Sequence, residues 1–290
     1  MTQLADQLNT EAILGLIDAV LPHLLIAGKY ASRVQSRVGV QEDKGGATIF
    51  HSALSDADLT IQSYFEVVLL SLGEKLSFYP EEHAKSLNVK YFDPQSPLEI
   101  LLDPIDGTRS YIDGRKEFQI IIAIHDLHEM VGAIVHMPRK GITYTAVKGN
   151  GARKFTNADV ETGASGTPHI LPKTAPKDAP VLLFNSPNIL ELIRKVRPAK
   201  DLLEVYLEAP ESHNSTDILE GLTPAIVYRS CQAIDGGAIA FIATEAGAVW
   251  SDFNGASVGN FRSSEIRTLP NILVSLSEEI NRELVAALRT

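Results

Sequence analysis

Two aspartates, Asp103 and Asp106, stand three residues apart directly after a short apolar run. The run is long enough for a buried strand and too short for a capped helix. Pro104 cannot donate to a sheet ladder and favours extended geometry in the residue before it. We therefore expect the strand to end at Asp103, with its carboxylate facing out of the sheet. Gly107 permits a tight turn, and Thr108 adds a hydroxyl and an amide near the same point.

Two carboxylates held this close do not coexist freely, because like charges at 4 Å repel by about 4 kcal/mol at an effective dielectric near 20. Either one of them is protonated, or a cation lies between them. An ordinary Asp-rich turn also explains a D-x-x-D-G spacing, since turns favour Asp and Gly. The order D-P-I-D-G-T of residues 103–108 is more restrictive than that spacing alone.

Two further segments, one before and one after this one, carry acidic residues. Glu81 and Glu82 follow the apolar end of Leu76–Pro80, about twenty residues before Asp103. Asp235 opens a helix rich in Gly and Ala. Taken alone, the glutamate pair is typical of solvated surface, and Asp235 is typical of a helix N-cap. Carboxylates of this kind also form the oxygen donor set that suits Mg²⁺.

Composition narrows the class of protein. The 290 residues carry a formal net charge of −10, which argues against a general nucleic-acid or anionic-membrane binder. The one cysteine, Cys231, excludes an intramolecular disulfide and is more typical of a small buried side chain than of a nucleophile. No uncharged apolar run reaches transmembrane length. We expect a soluble cytoplasmic protein without membrane or nucleic-acid partners.

Together these segments resemble the lithium-sensitive, magnesium-dependent phosphatases, and the inositol monophosphatase family above all. The family's G-E-E segment corresponds to residues 80–82, with Pro80 in place of glycine. Its W-D-x-A-A-G…E-A-G segment corresponds to 234–247, with Ile234 in place of tryptophan. The resemblance implies a Mg²⁺-dependent phosphomonoesterase that hydrolyses a small phosphorylated metabolite with activated water. The metabolite is either inositol-phosphate-like or a sugar or nucleotide bisphosphate.

The resemblance also assigns residues to roles in a site with two or three Mg²⁺ ions. The first metal would be held by Glu81, Asp103 and the carbonyl of Ile105, and the second by Asp103, Asp106 and Asp235. Glu81 would also hold a water through its metal. The amides of Gly107 and Thr108 would contact the phosphate, and the Thr108 hydroxyl would help to position the water.

Residues 52–58 correspond to the family pattern D-x-V-T-x-x-D, with Ser52 on the first acid and Asp58 on the last. The resemblance implies that the first acid helps Thr108 to activate water, so Ser52 puts that role in doubt. Asp58 is a candidate catalytic residue, and Asp56 is an alternative to Ser52 in the first-acid role, although helix capping is the simpler interpretation of both aspartates. Lys44 corresponds to a lysine on a flexible loop that closes over the metals; a solvated connector explains it equally well.

The sequence departs from the family pattern at positions that are expected to contact the substrate. Tyr228 stands seven residues before Asp235, where the resemblance places an inositol-binding glutamate. Arg109 is close enough to the site to contact a second anionic group of the substrate. An alternative hypothesis, motivated by Ser52 and Pro80, is a catalytically weakened protein that acts by binding a partner.

The implied fold is a layered α/β/α/β/α sandwich, with an antiparallel sheet in the first half and a smaller mixed sheet in the second. We place an N-terminal α+β domain at 1–165 and a C-terminal α/β domain at 166–290, which contributes Asp235. Apolar spacing predicts helices from about Asn9 to Arg37, with Thr10 as a cap and Pro22 as a kink or break, and from Leu59 to Leu72. The resemblance also implies a homodimer.

Overall fold

The computed structural model describes residues 2–37, 55–73, 75–208, 213–229, 231–257, 268–269 and 271–289. The helices are α1 Thr2–Val34, α2 Asp56–Ser71, α3 Thr108–Ile112, α4 Asn157–Thr162, α5 Leu190–Arg194, α6 Leu202–Glu208, α7 Ala238–Glu245 and α8 Glu278–Leu288. The strands are β1 Ser77–Pro80, β2 Glu99–Asp106, β3 Gln119–His125, β4 Met130–Met137, β5 Ile142–Val147, β6 Gly151–Thr156, β7 Thr167–His169, β8 Val181–Phe184, β9 Ala199–Asp201, β10 Ala225–Tyr228, β11 Cys231–Gln232, β12 Val249–Asp252, β13 Thr268–Leu269 and β14 Ile272–Ser275.

The larger sheet has seven strands in sequence order, and every neighbouring pair is antiparallel except β1 and β2. Alternate side chains along its strands enter two different cores. Ile100 and Ile122 belong to the core beneath α1 and α2, whereas Leu101 and Ile121 belong to the core shared with α7 and the second sheet. Because both faces are covered, the central strands are buried along most of their length and rich in apolar residues on both faces.

The second sheet is mixed and has the order β12-β14-β10-β8-β9. Strand β8 is parallel to both β9 and β10, and β14 is antiparallel to its neighbours. Helix α7 contributes Ile239 and Ile242 to the core that joins the two sheets. This arrangement confirms the predicted layered α/β sandwich. The domain boundary at residue 165 stays a prediction, and the first sheet continues to His169.

Helix α1 differs from its predicted form. It begins at Thr2, so Thr10 lies inside the helix and does not cap it, and it continues through Pro22 without a break. Pro22 is exposed, so water can satisfy the carbonyl that the missing N–H leaves open.

The stretch Thr10–Val34 of this helix is long and apolar enough to cross a membrane by length and composition alone. Half of its most apolar window is buried inside the protein. A core helix passes the same test, and Ile17 and Leu24 pack beneath the first sheet.

Candidate active site

Strands β1 and β2 bring two acidic side chains next to each other. The strands are parallel, with Pro80 opposite Leu102, and the Glu81 amide donates a 2.8 Å hydrogen bond to the Leu102 carbonyl. Glu81 follows Pro80 and Asp103 follows Leu102, so the two acidic residues lie side by side at this end of the sheet. The Asp103 residue is 3% exposed, so its carboxylate lies in a largely desolvated position.

Strand β2 does not end at Asp103, as the sequence predicted, but runs on to Asp106 through an irregularity in its pairing with β3. Pro104 is tolerated inside the strand because the ladder is interrupted at that point. The Ile105 amide donates to Asp103 Oδ1 at 2.9 Å. The carboxylate of Asp103 is therefore buried and held in place, and does not face solvent.

The side-chain amide of Gln119 orients Asp106. Gln119 Nε2 donates to Asp106 Oδ2 and also lies 3.4 Å from Ser215 Oγ. Burial raises the pKa of Asp106 to about 6, although the hydrogen bond from Gln119 works in the opposite direction. Asp106 is thus held between the first sheet and the turn at 215–220.

The turn after Asp106 presents the Thr108 hydroxyl to a second carboxylate. Gly107 has φ +85°, and a Cβ there would lie 3.0 Å from the Glu117 carbonyl oxygen. The Thr108 hydroxyl lies 2.8 Å from the Ile105 carbonyl and 3.3 Å from Asp58 Oδ1, so its single proton can be donated to either.

Asp58 is itself fixed at the start of α2. Its Oδ2 accepts from the Ser55 amide at 2.9 Å and from the Ser55 hydroxyl at 2.6 Å. Asp58 therefore caps the helix and contacts Thr108 at the same time. The resemblance implied that the partner of Thr108 is the first acid position, Ser52, which lies outside the described residues. In the structure that contact is made by Asp58.

Asp235 comes to the same place from the second half of the chain. It lies in the π-helical turn Ala233–Gly237 that leads into α7. Burial raises the pKa of Asp103 well above its ordinary value, and four neighbouring carboxylates raise it further. These are Glu81, Asp235, Asp106 and Asp58. Acidic residues up to 177 positions apart in the chain therefore lie close enough to Asp103 to raise the pKa of its buried carboxyl group.

The donor set fits a hard divalent cation. Within the described ranges, no three His, Cys, Asp or Glu side chains already form a complete metal-ligating group. Electrostatic repulsion still raises the pKa of Asp103. A bound Mg²⁺ would relieve this repulsion, since the ion takes carboxylate oxygens and completes its shell with water and substrate phosphate, which the protein itself does not supply. Oxygen-only, mutually repelling carboxylates are the environment that such a cation stabilises.

Tyr228 lies beside this cluster and not on the surface. Its ring stacks on Phe184 with centroids 4.7 Å apart, and its hydroxyl shares a hydrogen bond with Ser215. Burial, followed by the nearby Cys231 and the acidic residues, raises the pKa of Tyr228 well above its ordinary value. The phenol therefore stays protonated. A polar connection runs from Asp106 through Gln119 and Ser215 to Tyr228.

Cys231 is buried, as the composition suggested. Burial and the charge of Asp235 raise the pKa of its thiol, which makes it a poor nucleophile.

Arg109 lies at the edge of the cluster and is partly exposed. Its Nε donates to Asp113 Oδ2 at 3.1 Å and lies 3.4 Å from the Tyr206 hydroxyl on α6. The residue that follows the phosphate-binding candidate Thr108 is therefore in contact with the second half of the chain.

A second group of side chains supports the loop that carries Glu81 and Glu82. Gln62 Nε2 on α2 donates to the Glu82 carbonyl at 3.3 Å. Glu66, one helical turn further along, is completely buried. It accepts hydrogen bonds from three side chains, those of Gln62, Ser86 and Asn88.

The structure thus brings together every predicted site residue that it describes except Arg109, which lies at the rim; Lys44 lies outside the described residues. Sequence reasoning missed Gln119, Ser215, Gln62 and Glu66. Gln119 carried a usable signal, because it is the one amide at the start of an apolar strand and faces Asp106 across the ladder.

The inositol monophosphatase family model matches residues 23–290 of the chain. A 3'(2'),5'-bisphosphate nucleotidase CysQ of Aggregatibacter actinomycetemcomitans is 27% identical over 105 residues, 36% of this chain and 38% of that protein. An inositol-1-monophosphatase of Rhizobium meliloti (strain 1021) is 35% identical over 82 residues, 24% of this chain and 30% of that protein. The chain therefore aligns with well under half of the length of either relative.

Among solved structures, the extragenic suppressor protein suhB from Bartonella henselae has a TM-score of 0.70 to this chain at 19% identity. The match covers 95% of this chain and 99% of that one. At this identity the likeness establishes a shared fold.

Proposed function

The chain belongs to the inositol monophosphatase family, whose members are metal-dependent phosphatases, and from this premise we propose that it is a Mg²⁺-dependent phosphomonoesterase. Its substrate is a small phosphorylated metabolite, and the attacking group is water. The observation that carries the proposal is the contact between Thr108 and Asp58 beside the buried acidic cluster around Asp103.

The metal-holding residues are those of the acidic cluster. Glu81, Asp103 and the Ile105 carbonyl would hold one ion, and Asp103, Asp106 and Asp235 a second. Bound Mg²⁺ supplies a Lewis acid for the phosphate and lowers the pKa of a water. Gln119 keeps Asp106 oriented, and the 2.9 Å bond from the Ile105 amide keeps Asp103 in place.

Thr108 and Asp58 handle the proton of the attacking water. When the Thr108 hydroxyl donates to Asp58, its lone pairs are free to accept a hydrogen bond from the water and so to orient it. The Asp58 carboxylate is held in this orientation, because the amide and the hydroxyl of Ser55 both donate to its other oxygen, Oδ2. The weakened-enzyme alternative rested partly on Ser52, and the contact between Asp58 and Thr108 supports an active enzyme instead.

Tyr228 shapes the choice of substrate. A neutral phenol replaces the carboxylate that would accept hydrogen bonds from a polyol, which favours substrates other than inositol phosphate. The nucleotidase relative is named for a bisphosphate substrate, and that supports a bisphosphate here. We also propose a cytoplasmic homodimer without nucleic-acid or membrane partners, in keeping with the net charge of −10.

The test is release of phosphate from a panel of inositol phosphates, sugar bisphosphates, adenosine bisphosphate and histidinol phosphate, with Mg²⁺ or with EDTA. We expect turnover that requires Mg²⁺ and is lost in Asp103→Asn but retained in Asp178→Asn, which changes an exposed aspartate elsewhere. Turnover that survives EDTA, or survives in folded Asp103→Asn, would overturn the metal-dependent reaction. An absence of turnover on the whole panel would overturn the phosphatase proposal for these substrate classes.

A further inference from the structure

Two arginines and a tyrosine form a cluster at the edge of the candidate active site. Arg109 is the second residue of α3, and its Nε lies 3.4 Å from the Tyr206 hydroxyl. Arg115 follows the helix, and its guanidinium carbon lies 3.7 Å from the centre of the Tyr206 ring. We call Arg109, Arg115 and Tyr206 the rim cluster.

The rim cluster carries an excess of positive charge in an acidic protein. Asp113 pairs with Arg109 at 3.1 Å, with the side chains 26% and 40% exposed. Among the described residues, no ion pair joins Arg115 to a carboxylate, and its guanidinium rests on the Tyr206 ring. Two cations thus share one acidic partner, in a chain whose net charge is −10.

The cluster adjoins the reacting centre through α3. Arg109 directly follows Thr108, whose hydroxyl contacts Asp58. The contacts of Tyr206 with Arg109 and Arg115 hold both guanidinium groups against α6. We therefore expect part of a substrate whose phosphate lies at Thr108 to come within reach of the Arg109 guanidinium.

Toward the described residues, the guanidinium groups retain donors for a ligand. The Arg109 side-chain contacts within these ranges both involve Nε, so its terminal nitrogens take no part in them. A guanidinium presents paired N–H groups that match a phosphate or carboxylate. The Tyr206 ring restricts the orientation of Arg115, and such stacking is worth more where water is excluded.

We propose that the rim cluster binds a second anionic group of the substrate, a phosphate or a carboxylate, while the first phosphate is hydrolysed at the acidic cluster. This inference rests on the proposed phosphatase function and names its substrate class. The other explanation for the cluster is purely structural, in which Arg115 and Tyr206 only join α6 to the loop after α3. The two explanations differ in what the arginines do to substrate preference.

The test uses pairs of phosphomonoesters that differ only in a second anion. Fructose 1,6-bisphosphate is compared with fructose 1-phosphate, adenosine 3',5'-bisphosphate with 3'-AMP, and 2-phosphoglycerate with glycerol 2-phosphate. The last pair distinguishes a carboxylate from a phosphate. Values of kcat/KM are measured for the intact chain, for Arg109→Gln/Arg115→Gln, and for Arg197→Gln, a control that breaks a surface ion pair with Glu283.

In at least one pair, we expect the substrate with the second anionic group to be preferred by roughly tenfold or more over its partner. That is the effect of a hydrogen bond to a charged group. The double substitution should abolish that preference mainly through KM, while Arg197→Gln leaves it unchanged. A folded double variant that keeps the preference, or a chain that hydrolyses both members of each pair equally well, would overturn the inference and leave the phosphatase proposal standing. No turnover on any member would overturn both.

Discussion

The Thr108 hydroxyl lies 3.3 Å from Asp58 Oδ1, although the two residues are fifty positions apart in the chain. The contact joins the turn after β2 to the first turn of α2. The Asp58 carboxylate can therefore accept a proton from the Thr108 hydroxyl at the edge of the buried acidic cluster. The proposed activation of water depends on this relationship.

Replacing Asp58 should therefore impair turnover more than folding. In Asp58→Asn the amide oxygen still accepts a hydrogen bond, but the negative charge that favours proton transfer is gone. We expect kcat to fall by about a hundredfold or more, the usual size of general-base assistance. The measurement is steady-state phosphate release at saturating Mg²⁺.

Ser55→Ala is the matched control, because it removes one hydrogen bond to Asp58 and keeps the carboxylate. It should lower the free energy of unfolding by about 1 kcal/mol, as loss of an N-cap does, and retain most of the turnover. If Asp58→Asn and Ser55→Ala had the same kcat, the role of Asp58 would be limited to capping.

Gly107 should be intolerant of a side chain for two separate reasons. Its φ of +85° disfavours any L-residue, and a Cβ would press on the Glu117 carbonyl at 3.0 Å. Gly163 has a similar φ of +69° and nothing within 4 Å of its Cβ position. Gly163→Ala should cost about 1 kcal/mol of stability, and Gly107→Ala should cost more and also lower kcat.

Chemical denaturation of both variants gives the comparison. Equal losses of stability would mean that the turn relaxes around the Glu117 carbonyl. Wild-type kcat in Gly107→Ala would mean that the position of Thr108 does not depend on this turn.

His136 should make the protein less stable in acid. Burial lowers the pKa of His136 from 6.5 to about 4, so protons bind more readily to the unfolded chain. Its contribution to stability is complete above pH 6.5 and declines as the pH falls toward 4. The decline amounts to about 3 kcal/mol at most, from 1.36 kcal/mol per pKa unit.

The comparison is between the intact chain and His136→Gln, which cannot titrate and keeps a polar group near Thr143 Oγ1. Unfolding free energies are measured between pH 7 and pH 4. The difference between the two proteins should shift in favour of His136→Gln as the pH falls. A difference that stays constant over this range would show that His136 does not titrate on unfolding.

The acidic positions of the site could be predicted from the sequence because each lies in a short motif. Glu81, Asp103 and Asp235 needed only their neighbours to be recognised. The contact between Asp58 and Thr108 could not be assigned in this way, since it depends on how α2 packs against β2. Local rules also ended β2 at Asp103, before Pro104, because they do not anticipate an irregular ladder that accommodates proline.

The rim cluster, too, could be predicted from the sequence only in part. Arg109 could be suspected from its place beside Thr108, but Tyr206 is ninety-seven residues away, on helix α6, which packs against the second sheet. Only packing of α6 against the loop after α3 brings them together. Polar side chains such as Gln119 and Glu66 carry weak signals for a related reason, because their partners come from distant elements.

The most direct measurement is calorimetric titration of Mn²⁺, a substitute for Mg²⁺, into the intact chain, Asp103→Asn and Asp178→Asn. The four other carboxylates of the acidic cluster all raise the pKa of Asp103, which places Asp103 at its centre. Loss of this carboxylate should therefore weaken metal binding at the whole site. We expect saturable binding to the intact chain and to Asp178→Asn, and a loss of at least about tenfold in affinity in Asp103→Asn. Equal affinity in all three proteins would contradict the assignment of the acidic cluster as the metal centre.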